Sequence, residues 1–183
     1  MIYCRKLSRA DLARIEAHFL GLSVEDRRRR FHSGASDEAI RAYCRGFRWS
    51  ERAVIGAFAW GRLVGLAESV RVAPERVEIA VSVEASWQRH GVGRELVRRA
   101  LSSAANRGVT EAVLDYVPGE RSIPNIARSL GGDIDAGGAV AHIKLPAHST
   151  PLEIEEFVED IAAAAAWAFD AAFWPLRLAA GAV

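Results

Sequence analysis

Net charge, cysteine and lysine are all scarce in this chain of 183 residues. With 24 basic against 23 acidic residues the formal charge is +1, which excludes a nucleic-acid binder that relies on bulk positive charge. Lysine stands only at Lys6 and Lys144, so the basic side is almost all arginine. The 2 cysteines, Cys4 and Cys44, form no CxxC pair and no disulfide framework, and a reducing, cytoplasmic compartment is the expectation. His18, His32, His142 and His148 are dispersed without ligand spacing, so no metal is expected. The first residues, Met1 to Lys6, carry charge early and lead into no apolar core, so no secretory signal is read there. One apolar run, 161–183, has the length of a membrane span. About half of it is alanine and glycine, Asp170 lies midway and Pro175 divides it. The expectation is a helix that packs on the domain or on a second copy in a homodimer, not a membrane anchor.

What is present suffices for one domain. The chain is 50% hydrophobic and 26% charged, enough to bury a core. A short strand is expected at 2–6. Ser8 with Asp11 marks a helix start, and Ser23 and Ser36 mark two more, the last over roughly 37–46. The pattern then alternates: strands at 54–60 and 63–72 around a Gly61-Arg62 turn, and a third at 77–83. Gly91-Val-Gly93 opens an amphipathic helix to about Asn106, with Val92, Leu96, Ala100, Leu101 and Ala104 on one stripe. A strand at 111–117, a short helix at 123–130 and a closing hairpin near 133–136 and 139–145 complete the domain, 1–147. Residues 148–183 are expected to be a separate helical extension. Thr150, Pro151 and Glu153 begin a helix there that should run to about Phe173, where Trp174-Pro175 stops it. This order is α+β, with a mixed sheet of six or seven strands.

Gln88 to Gly93 carries most of the chemical information. Two glycines let a backbone approach a ligand closely, and the following helix aims unpaired N–H groups and its positive dipole end at the same place. A pyrophosphate suits such a site, with Arg89 and Arg94 adding charge at its rim. Two cofactor classes compete. A dinucleotide fold needs GxGxxG directly after the strand and an acid about twenty residues later. Asp115 meets the second demand, but Leu96 replaces the third glycine and Gly91 lies eight residues beyond Val83.

Coenzyme A is the other class. The pattern [Gln/Arg]-x-x-Gly-x-[Gly/Ala], after a strand and opening a long helix, is the signature of the GNAT acyltransferases, and Gln88-x-x-Gly91-x-Gly93 matches it. Glu78-Ile-Ala-Val-Ser-Val83 followed by Trp87-Gln88 resembles the strand and loop of Pat-type protein-lysine acetyltransferases. The resemblance covers 1–145 and implies a GNAT fold, mostly antiparallel, with a splay after the acetyl-CoA-binding strand. It implies that the backbone of Gln88, Arg89, His90, Gly91, Val92, Gly93 and Arg94 holds the pyrophosphate, and that the pantetheine arm runs beside Val81, Ser82 and Val83. The implied activity is acetyl transfer from acetyl-CoA to a primary amine, a protein lysine or a small amine, by direct attack.

An attacking amine must be neutral, and lysine with a pKa near 10.4 is so in roughly one molecule per thousand at neutral pH. A carboxylate can take its proton. Glu78 holds the strand position at which the resembled enzymes carry their general base, and Glu68 is the reserve. The tyrosine that often protonates the leaving thiolate is replaced by Ala127, and the asparagine that holds the arm by Glu120. Asn125, Tyr116 and Ser122 lie close in sequence. These departures keep a second reading open, a CoA-binding regulatory module without turnover. A membrane-tethered interaction protein built on the tail is a third. Arg27 to Arg30 cover a whole helical circumference, either as a solvated face or as a border of the acceptor site. Cys44, Trp49, Trp60, Trp87 and Trp167 are read as packing residues.

Overall fold

In a computed structural model the described residues are 2–146 together with 158, 161, 162 and 164–166. The expected start of the C-terminal helix at Thr150, its end at Trp174-Pro175, and Trp167 lie outside them. The chain runs β1 (Ile2–Lys6), a short 3-10 helix (Arg9–Asp11), α1 (Leu12–Gly21), α2 (Val24–Phe31), α3 (Asp37–Arg45), β2 (Arg52–Ala59), β3 (Arg62–Ala73) and β4 (Arg76–Val83). It continues with α4 (Val92–Ala105), β5 (Glu111–Asp115), α5 (Ser122–Ser129), β6 (Asp133–Ile134) and β7 (Val140–Lys144).

Local chemistry sets the helix starts. Ser8 and Asp11 form a reciprocal capping box, and Asp11 also receives both ends of the Arg5 guanidinium at 2.6 and 2.9 Å. Ser23 accepts from the Asp26 N–H and Ser36 from the Ala39 N–H, so both cap as their sequence positions imply. The β2–β3 turn sits one residue earlier than expected. Trp60 and Gly61 occupy it with φ of 54° and 74°, the paired left-handed geometry that matches strand twist. Trp60 is consequently 48% exposed instead of packed, whereas Trp49 and Trp87 do pack against the core.

All seven strands join one sheet in the order β1-β2-β3-β4-β5-β7-β6. Every pairing is antiparallel except β4 with β5. That parallel pairing joins Arg76, Val77 and Glu78 to Glu111, Ala112 and Val113 and goes no further. β4 continues to Val83, still bonded to β3 on its other side, so the two strands part as the expected splay. One sheet face packs under α4 and α5 through Val77, Ile79, Leu96, Val97, Ala100 and Leu114. The other packs under α1 and α3 through Ile15, Phe19, Ile40, Phe58 and Leu66. Burial on both faces explains why β2 and β3 read as near-continuous apolar runs.

Two polar groups are sealed into the second face. Glu68 is 1% exposed. Arg30 pairs with one of its oxygens, Arg52 reaches the other at 2.9 Å, and the Tyr43 hydroxyl donates at 2.9 Å. His18 is buried on α1 with Nε2 2.9 Å from the Ser82 hydroxyl. Removing one partner from a buried ionic cluster strands the remaining charges. Glu68→Gln should therefore cost about 3–5 kcal/mol in urea unfolding; a loss below about 1 kcal/mol would show that the cluster is solvated.

Acid stability should fall in two windows. Burial, helped by Arg30, lowers the His18 imidazole from 6.5 to about 4. The unfolded chain then takes the proton first, so stability declines as pH falls from 6.5 toward 4, by on the order of 3 kcal/mol. Asp11 is lowered from 3.8 to about 2 by its Arg5 hydrogen bond, supported by Ser8 and Arg14 and opposed by burial. Its contribution is present above 3.8 and is lost toward 2. Urea midpoints measured against pH should lose only the upper step in His18→Gln; an unchanged upper step would assign it to another group.

Candidate active site

The parting of β4 from β5 leaves a gap, and three adjoining cavities open along it. One, of about 170 Å³, is bordered by Val81, Ser82 and Val83 of β4 and by Gln88, Arg89 and Gly93 of the following turn. Asp26 and Arg29 of α2 close a second side, and Glu120, Ser122, Ile123 and Ile126 a third. A narrower chamber of about 40 Å³ lies beside it, reached past Val81, Arg29 and Ile123, which border both. Its walls hold Glu78, Ile79 and Ala80 of β4, Asp115 of β5, and Arg30 and His32. A third hollow is framed by Glu25, Arg29 and residues 117–121.

The glycine turn has the geometry that its sequence requires. Gly91 is the N-cap of α4 with φ of 81°, a left-handed conformation that costs other L-residues about 1–2 kcal/mol. At Gly93 an added Cβ would stand 3.4 Å from Ile126, an ordinary contact, which fits a pattern admitting glycine or alanine there. The Gln88 side chain folds back, donating to the Val83 carbonyl at 2.9 Å and to Asp26 at 3.0 Å. It pins the loop to the strand and to α2. His90 is exposed with Nδ1 2.7 Å from the Gln88 carbonyl. Val92 is buried in the core and Arg94 donates to Ser129 at 3.2 Å. Of the expected loop residues, Gln88, Arg89 and Gly93 border the cavity, while His90, Gly91, Val92 and Arg94 stand at the helix entry beyond its lining.

Three carboxylates separate cleanly by environment. Glu68, the reserve base, lines none of the three cavities and is 1% exposed among Arg30, Arg52 and Tyr43, so an amine in the gap cannot reach it. Glu120 accepts from the Arg121 and Ser122 N–H groups and from the Ser122 hydroxyl, and pairs with Arg29 at 2.8 Å. Burial acts to raise its pKa, but those partners together hold it below the ordinary carboxylate range. Glu78 is half-buried, borders the narrow chamber, and makes no hydrogen bond or close ion pair with a described residue. Of the three it carries the fewest contacts, an electrostatic attraction to Arg30 across the same chamber.

The position read as the missing tyrosine is filled. Ala127 is 0% exposed on the core-facing side of α5. Tyr116 is buried in the same cluster and Asn125 is exposed away from the cavity lining. Cys44 is core, its thiol pushed up to about 11 chiefly by burial. The arginine run divides four ways. Arg27 donates to the Leu20, Leu22 and Ala35 carbonyls and to Asp37. Arg28 is exposed, Arg29 borders all three cavities, and Arg30 is sealed against Glu68. Arg29 belongs to the run read either as a solvated face or as a border of the acceptor site, and it borders the gap. The sequence offers Asp115 only as a dinucleotide acid and does not single out Asp26 as a site residue. Asp115 shared a face with Glu78 by strand alternation, but no sequence signal brought Asp26 to Gln88 across 62 positions.

Solved structures share this fold. The S. lividans PAT GNAT domain superposes with a TM-score of 0.66 at 16% identity, covering 78% of this chain and 89% of that one. The ribosomal-protein-S18-alanine N-acetyltransferase from Escherichia coli gives 0.60 at 15%, covering 82% and 97%. A phosphinothricin acetyltransferase from Sinorhizobium meliloti, solved in complex with acetyl-CoA, gives 0.62 at 14%, covering 82% and 91%. At these identities the likeness is one of fold. No curated protein matches the sequence. The model of the acetyltransferase (GNAT) family matches residues 19–131, more than half of the chain, and the protein belongs to that family.

Proposed function

We propose that the chain transfers acetyl from acetyl-CoA to a primary amine, a protein lysine or a small amine, by direct attack with Glu78 as general base. The observation that carries this reading is the continuity of the gap. The glycine turn opens one end, Val81 to Val83 run along its edge, and an uncommitted carboxylate stands past Val81 at the other.

Each residue then has a physical task. The α4 entry offers N–H groups and a positive dipole end to a diphosphate. The β4 edge beyond Glu78 has no β5 partner, so its peptide groups can pair with an extended amide-bearing arm as a strand would. A thioester carried to Val81 lies at the junction of the two cavities. Glu78, from the chamber side, accepts the proton that the ammonium must lose before its nitrogen attacks. Asp115 on the neighbouring strand adds negative charge to a chamber that Arg29 and Arg30 also border. A CoA thiolate, with a pKa of roughly 8–9 by analogy with cysteine, can depart without a tyrosine.

Buried Ala127 and fully bound Glu120 favour one alternative, a CoA-binding regulatory module. A thiol-release assay with acetyl-CoA and an amine panel separates the two: turnover supports the enzyme, binding without turnover the module. Glu78→Gln should lower kcat about 100-fold or more and leave calorimetric acetyl-CoA affinity unchanged; normal turnover would remove Glu78 as the base. In the ligand-free protein, Gly91→Ala should cost about 1–2 kcal/mol, and Gly93→Ala distinctly less. Equal costs would mean that the turn relaxes at Gly91.

A further inference from the structure

Arg29 is the side chain common to all three cavities, and Glu120 borders two of them. They approach from opposite lips of the gap, Arg29 on α2 and Glu120 just ahead of α5, with Arg29 Nε 2.8 Å from Glu120 Oε2. Glu120 is itself fixed by the two N–H groups and the hydroxyl that it accepts at the α5 entry. Its charged form is the favoured one. Along its own helix Arg29 has Glu25 at 3.4 Å and Asp26 at 3.6 Å. All of these contacts are ion pairs: the Arg29 guanidinium donates no hydrogen bond to a described residue, and its side chain is 44% exposed. A cation is thus held at the gap through Nε and Nη1, with its side chain part-exposed to the cavities.

We infer that Arg29, oriented by Glu120, is a binding residue for the amide-bearing arm of acyl-CoA, and that the pair forms a clamp across the gap. This rests on the reading of the cavity given above. Glu120 offers only acceptors, so at this lip the donor to a carbonyl oxygen of the arm is Arg29. A hydrogen bond from a charged donor is worth more than a neutral one, and the ion pair supplies its orientation. An exposed ion pair with no ligand role would contribute little to anything measured.

Calorimetric titration of acetyl-CoA into the wild type, Arg29→Gln, Arg29→Lys, Glu120→Gln and the Arg29→Gln/Glu120→Gln double variant tests the clamp. Glutamine at 120 retains an oxygen for the α5 entry, and thermal melts without ligand verify folding. Arg29→Gln should weaken affinity about tenfold, Glu120→Gln less, and Arg29→Lys should recover part of the loss. The double variant should match Arg29→Gln within about twofold, because Glu120 acts through Arg29. Should Arg29→Gln fail to fold, Arg29→Lys and Glu120→Gln carry the comparison, and unchanged affinity in both overturns the inference. Wild-type affinity in a folded Arg29→Gln, or additive losses in the double variant, overturns the clamp while leaving the proposed function intact. A wild type that binds no acetyl-CoA overturns both.

Discussion

The early end of the β4–β5 pairing is the constraint on which the rest of the site depends. Strands that share a parallel ladder satisfy each other's peptide groups, and a strand that leaves the ladder must find other partners or water. β4 gives up β5 after Glu78 yet remains bonded to β3 through Val83. The result is a rigid edge facing an opening instead of a frayed end. Gln88 takes the Val83 carbonyl, α2 covers one side and the α5 entry the other. Glu78, Val81 to Val83, Gln88, Arg89 and Gly93 all border that opening.

Charge placement around the gap follows from commitment more than from proximity. Glu78 and Glu120 border it and Glu68 lies one strand behind, and the surroundings of the three differ. Glu68 has two guanidiniums and a phenol, and ties α2, α3, β2 and β3 together. Glu120 is spent on a helix entry and an ion pair. Glu78 lacks such hydrogen-bonding partners among the described residues and borders the narrow chamber. The arginine run on α2 shows the same sorting: one helical turn supplies a packing cross-link at Arg27, a cavity wall at Arg29 and a buried counter-ion at Arg30.

His18 and Ser82 connect the gap to the second core. A buried imidazole hydrogen-bonded to a serine on the cavity edge holds β4 against α1, and its neutrality depends on exclusion of water. The cavity edge is therefore stiffened from behind by a contact 64 positions apart in the chain.

Local features of the chain were readable because their causes are local. Ser8, Ser23 and Ser36 cap helices through atoms within three residues. Gly91 can take its left-handed turn without steric cost, and strand alternation placed Glu78 among aliphatic neighbours. The order of elements and the Gln88-x-x-Gly91-x-Gly93 spacing were enough to identify the fold. Tertiary structure alone decided which polar groups remain free. Long-range packing bound Glu68 to Arg30 and Arg52, brought Asp26 to Gln88 and Arg29 to Glu120, buried Ala127, and turned Trp60 outward. Availability of a charge depends on the partners that folding brings to it, and those partners are set by three-dimensional contact, which no spacing along the chain encodes.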